Sequence, residues 1–176
     1  KMFRILQGDV GSGKTIVSFM TVANVLEIGF QSAFMAPTAI LANQHYNLSK
    51  KVFDGTKIRI KLLTGKTEIK LRKKILEDLK NGKIDLLIGT HSLFQKKIEF
   101  KSLGYIVIDE QHKFGVKQRM AFAEKGGKNC DVLLMSATPI PRTMMLTVYG
   151  DMDVSRLTEK PKNRLPILTS SKQEKK

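Results

Sequence analysis

The chain has no tryptophan, three tyrosines and one cysteine, Cys130, in 176 residues. A single thiol excludes an internal disulfide and a zinc site built on cysteines. Aromatic residues make up only 7% of the sequence, so stacking on nucleic-acid bases is not the main device of any binding surface here. Acidic residues are also scarce, 16 against 31 lysines and arginines, which leaves a formal net charge of +15. Such an excess points toward a polyanionic partner, although a solvated lysine-rich surface gives the same number. Long hydrophobic runs are missing as well. The apolar windows at 16–28 and 105–108 are interrupted or too short to cross a bilayer. No charged-then-apolar leader is read, so no membrane partner is expected and the expected compartment is the cytoplasm.

What remains is the composition of a globular domain, 41% hydrophobic and 27% charged. Six short apolar runs recur, at 3–7, 32–36, 58–63, 84–88, 105–109 and 132–135. Helical patterns separate several of them. Residues 16–28 are apolar nearly all round and stop before Gly29, the pattern of a buried helix with a glycine cap. Residues 66–80 place Leu71, Ile75, Leu76 and Leu79 on one face and end at Asn81 and Gly82. Strands alternating with helices predict an α/β fold, a mostly parallel sheet with helices on both faces. From about Asp151 the rhythm is lost. Residues 151–176, with Pro161 and Pro166, are expected to be a linker leaving a domain of residues 1–150. The abrupt start in an apolar run suggests an excised fragment.

Gly8, Asp9, Val10, Gly11, Ser12, Gly13, Lys14 and Thr15 match G-x-x-x-x-G-K-[ST] at every required position. The glycines let the backbone fold back so that successive N–H groups converge on phosphate oxygens. A helix beginning near Lys14 aims its positive end at the same point. Lys14 would reach the β- and γ-phosphates, and Thr15 would offer its hydroxyl to Mg²⁺. Further on, the apolar run at 105–108 ends in Asp109 and Glu110, acids at the end of a strand where an open α/β sheet places its ligand. Asp109 would hold Mg²⁺, and Glu110 would polarise the water that attacks the γ-phosphate. The reaction expected is hydrolysis of a nucleoside triphosphate, ATP first among them.

Asp109, Glu110, Gln111 and His112 resemble the DEAD/DEAH box of superfamily 2 helicases. Ser136, Ala137 and Thr138 resemble the third motif of that family, and Ala36, Pro37 and Thr38 its motif Ia. The longer segments at 7–15, 109–116 and 133–143, followed by Tyr149, Gly150 and Asp151, are similar to bacterial DNA helicases that remodel stalled forks and Holliday junctions. The transcription-repair coupling translocases share part of this pattern, but usually carry a second glutamate where this chain has Gln111 and a bulky residue at Ser12. A P-loop NTPase outside the helicases is the other alternative.

The resemblance implies a RecA-like P-loop NTPase fold and a DNA partner, branched DNA in particular. It also implies that the strand ending at Ser136 lies between the phosphate-loop strand and the Asp109 strand. Gln111, His112, Ser136 and Thr138 would couple the nucleotide state to movement. Pro37, Thr38, Thr64, Gly65, Thr90 and His91 would line the strand-tracking face, mostly against phosphates. A second RecA-like domain and a DNA-wedge domain of the same protein would complete the machine, and this chain alone is expected to be nearly inactive. Arg142 is read either as a phosphate grip or as a salt-bridge partner, the lysines of 50–74 as a solvated face, and His45 as the exposed face of a helix after Pro37.

Overall fold

The computed structural model describes residues 2–95, 97–109, 130–138 and 152–159. The apolar runs become strands because each is short, rich in branched or aromatic side chains, and bounded by turn residues. In chain order they are β1 (Phe3–Gly8), β2 (Gln31–Met35), β3 (Ile60–Leu63), β4 (Leu86–Gly89), β5 (Leu103–Ile108), β6 (Asp131–Ser136) and β7 (Asp153–Leu157). Between them lie α1 (Lys14–Glu27), α2 (Ala39–Val52) and α3 (Ile69–Lys80), with a 3₁₀ turn at His91–Phe94.

The strands form one sheet in the order β3-β4-β2-β5-β6-β1-β7, and every pairing among the described residues is parallel. Alternate strand residues feed two separate cores, as the twofold period of a strand requires. Ile5, Ala33, Leu87, Ile106 and Leu134 face the side covered by Ile75 and Leu79 of α3. Leu6, Phe34, Leu86, Val107 and Leu133 face the side covered by Phe19 and Val22 of α1 and Ala42 of α2. The result is the three-layer α/β/α arrangement expected from the sequence. It brings the C-terminal ends of all seven strands to one edge. No helix among the described residues is long and apolar enough to cross a membrane.

Three expectations are corrected here. Residues 153–157 are not linker. They form β7, which pairs with β1 from Arg4↔Asp153 to Gly8↔Leu157. An edge strand buries little, and only Val154 and Leu157 of β7 pack on the cores, so its apolar signal is weak. Nor is α1 buried all round. Its contact face is Ser18, Phe19 and Val22, whereas Ile16 and Met20 are 43% and 63% exposed, because the helix forms an outer layer and meets the sheet on one side only. Similarly, the contact of α3 begins at Ile75, and Leu71 stays 48% exposed.

Two polar braces fix the edge opposite the strand ends that carry the site. Buried Gln31 donates from Nε2 to the carbonyls of Leu79 (3.0 Å) and Ile84 (2.7 Å) and accepts from the N–H of Ser102 (3.0 Å). The Arg59 guanidinium clasps Asp85 through Nε (3.0 Å) and a terminal nitrogen (2.7 Å). Partial burial pushes the Asp85 carboxyl up, but the bonds and charge of Arg59 outweigh it and hold the group below the usual carboxylate range.

Candidate nucleotide-binding site

The phosphate loop runs from the end of β1 into α1. Gly11 and Gly13 sit at φ +83° and +95°, the left-handed region that side chains resist, and this lets the loop curl back over the strand. The first turn of α1 has no side-chain cap and no acidic residue. Its leading N–H groups therefore keep their capacity to receive an anion. Lys14 Nζ donates to the carbonyl oxygens of Gly8 (2.7 Å) and Asp9 (2.9 Å), so its ammonium lies across the mouth of the loop.

Inside the loop, Ser12 Oγ is buried without a hydrogen-bond partner among the described residues. It lies against Gly8, where a Cβ would run into it. A cavity of about 440 Å³ opens alongside, lined by Gln7, Gly8, Asp9, Ala137, Arg156 and Leu157. An orphaned hydroxyl, uncapped helix N–H groups and an ammonium over a glycine cradle are what a polyphosphate would satisfy.

The other expected members of the site stand on the same edge. Asp109 directly follows β5 and is 8% exposed. Its backbone N–H donates to the Met35 carbonyl at 2.8 Å. Ser136 ends β6, and the sheet order places β6 between β5 and β1, as the resemblance implied. Here the third-motif hydroxyls engage each other: Ser136 Oγ lies 3.1 Å from Thr138 Oγ1 and accepts from the Thr138 N–H at 3.2 Å. Thr15 and Asp109 offer hard oxygen donors, the kind that hold magnesium when phosphates and water supply its remaining ligands. Glu110, Gln111, His112 and Arg142 lie outside the described residues.

The expected DNA face follows the next strands along. Pro37 and Thr38 come after β2, Thr64 and Gly65 after β3, and Thr90 and His91 after β4, and these three strands are neighbours. Thr38, Gly65 and His91 are exposed, while Thr64 and Thr90 are buried. Thr64 Oγ1 accepts from the Lys66 N–H (3.3 Å) and Thr90 Oγ1 lies 3.4 Å from Ser92 Oγ. These two hydroxyls shape their loops from within.

The arrangement matches a known family. The profile of the DEAD/DEAH box helicases fits residues 3–146. The chain belongs to the DEAD/DEAH box helicase family. This helicase domain is similar to the ATP-dependent DNA helicase RecG of Thermotoga maritima, with 52% identity over 96% of this chain and 21% of the relative. It is similar to RecG of Borreliella burgdorferi at 50% identity, over 96% of this chain and 24% of the relative. Among solved structures it matches RecG bound to a three-way DNA junction, with 47% identity, a TM-score of 0.79, and coverage of 94% of this chain and 22% of that one. The chain spans between a fifth and a quarter of the length of these curated relatives.

One site residue was missed by the sequence reading. His45, expected on an exposed helix face, is 8% exposed, and its Nε2 lies 2.8 Å from Oδ2 of Asp109. The signal was present in the spacing. Ala42, His45 and Ser49 recur at three and four residues, one stripe of α2, and all three are buried. The small residues on either side mark the stripe as the one that packs.

Proposed function

We propose that this chain is the first RecA-like domain of a cytoplasmic ATP-dependent DNA helicase that remodels branched DNA, such as stalled forks and Holliday junctions. The observation that carries the reading is the continuous C-terminal edge of the sheet. The phosphate loop, Ser136 and Asp109 occupy one stretch of it, and the loops after β2, β4 and β3 occupy the next. The 47% identity to RecG bound to a three-way DNA junction supports the choice of substrate.

In this reading the N–H groups of residues 8–15 bind the phosphates, and Lys14 exchanges the Gly8 carbonyl for phosphate oxygens. Thr15 and Asp109 hold magnesium. When bound, the ion neutralises charge developing on the phosphates. Glu110 takes the proton of the attacking water. Gln111, His112, Ser136 and Thr138 relay the nucleotide state to the DNA face, where Pro37, Thr38, Gly65 and His91 meet the sugar-phosphate backbone and Thr64 and Thr90 hold their loops in shape. A second RecA-like domain and a wedge domain of the same protein close the cleft and select the junction.

The test is ATP turnover by the full-length protein with a three-way junction and with linear duplex of equal length. Stimulation by the junction above the duplex, lost in Glu110→Gln while nucleotide still binds, supports the proposal. Turnover indifferent to any DNA refutes it.

A further inference from the structure

The His45–Asp109 contact joins two surfaces that the proposed function keeps apart. The His45 ring packs on Phe34, with centroids 4.6 Å apart. The side chains of His45 and Asp109 are only 10% and 12% exposed. At 2.8 Å the ring can donate from Nε2 to the carboxylate oxygen. Asp109 is also held from the other end of the same segment, through its backbone bond to Met35. Residues 35–45 are therefore fastened to Asp109 at both ends.

Pro37 and Thr38 lie between those two fastenings. Thr38 caps α2, its Oγ1 accepting from the Leu41 N–H at 3.2 Å. It sits two helical turns, about 10 Å, from His45 on one rigid element. In the proposed reading, a phosphate drawing on Thr38 would shift α2, and the shift would reach the carboxylate through the imidazole.

We propose that His45 is a positioning residue that fixes the rotation of the Asp109 carboxylate and transmits engagement of DNA at Thr38 to the nucleotide site. This rests on the readings of Asp109 as a magnesium-holding group and of Thr38 as a DNA contact. Holding Oδ2 sets the direction of the second carboxylate oxygen. Releasing it lets the group turn away, and loss of such an orienting partner typically costs about 10–100-fold in metal affinity or activity.

The experiment titrates magnesium against binding of a fluorescent ADP analogue to the full-length protein, with and without a forked DNA oligonucleotide. His45→Leu keeps an apolar body against Phe34 and removes the donor. His45→Gln keeps a donor at similar reach. The expected result is that His45→Leu raises the magnesium requirement about 10–100-fold and abolishes the effect of DNA on nucleotide affinity. Its melting temperature falls, because Asp109 loses a buried donor, but it still folds and binds DNA without nucleotide, and His45→Gln restores both lost properties. A wild-type magnesium requirement in His45→Leu overturns the proposal, as does a His45→Gln variant no better than His45→Leu. Asp109→Asn separates the two levels. If it leaves magnesium-dependent binding intact, the reading of Asp109 itself is wrong. If it abolishes that binding while His45→Leu does not, only the role of His45 falls.

Discussion

Lys14 folds back on its own loop, placing its ammonium 2.7 Å from the carbonyl oxygen of Gly8. Among the described residues its hydrogen bonds go to two backbone oxygens of the loop. Lys14→Ala is expected to leave the melting temperature within a few degrees of wild type. Affinity for a fluorescent ADP analogue is expected to fall by about tenfold or more, since a charge-assisted contact to phosphate contributes on the order of 1.5–3 kcal/mol. Unchanged binding would remove Lys14 from the site.

Gly8 is held by space. A Cβ there would run into Ser12 Oγ and come within 3.0 Å of Leu157 Cβ on β7. Gly8→Ala is expected to cost about 1–3 kcal/mol of stability, as overpacking does, and to weaken nucleotide binding. Adding Ser12→Gly is expected to recover part of the loss, because the nearer obstacle is gone while Leu157 remains. Chemical denaturation of the single and double variants measures both effects.

Gln31 satisfies two carbonyls and one N–H from three separate segments while 4% exposed. Gln31→Leu fills similar volume and takes this partner from the Ile84 carbonyl and the Ser102 N–H, while the Leu79 carbonyl keeps the N–H of Gly82 at 3.1 Å. The expected loss is about 3 kcal/mol or more, visible in urea denaturation. A variant as stable as wild type would mean that water replaces the amide.

Burial pushes the Tyr105 phenol up to about 12, against its bond to Thr21 and with help from the charge of Asp131. The unfolded chain releases this proton near pH 10, so between pH 10 and 12 the folded state binds more protons than the unfolded one. Stability present below pH 10 is therefore lost as pH rises toward 12, by on the order of 2–3 kcal/mol. Tyr105→Phe is expected to flatten that decline relative to wild type, at a cost of about 1 kcal/mol at neutral pH from the lost bond at 2.8 Å. Parallel slopes for the two proteins in alkaline denaturation would contradict this account.

The first six strands, β1 to β6, were legible because each announces itself locally, through branched residues between turn signals. The glycine-rich loop before α1 was legible for the same reason, since its motif consists of residue types at fixed spacing. Where the sequence misled, the deciding contact was distant along the chain. β7 is a strand because Arg4 to Gly8 offers it an unpaired edge, about 150 residues away in sequence. The apolar side chains of α1 read as buried all round, yet a helix in an outer layer has one face on the sheet, which leaves Met20 in solvent.

His45 shows where local signals end. The sequence by itself determined which groups are offered: a lysine and hydroxyl on a glycine loop, an aspartate closing a buried strand, and alternating elements that form a parallel sheet with both faces covered. It also determined that the strand ends, and the residues that follow them, would share one edge. Only the tertiary structure decided which strand ends are neighbours and what touches Asp109. Register and strand order bring residues 45 and 109 within 2.8 Å, a separation of 64 positions that no periodicity encodes. A helix pattern specifies which stripe is buried, and the fold alone specifies what it is buried against.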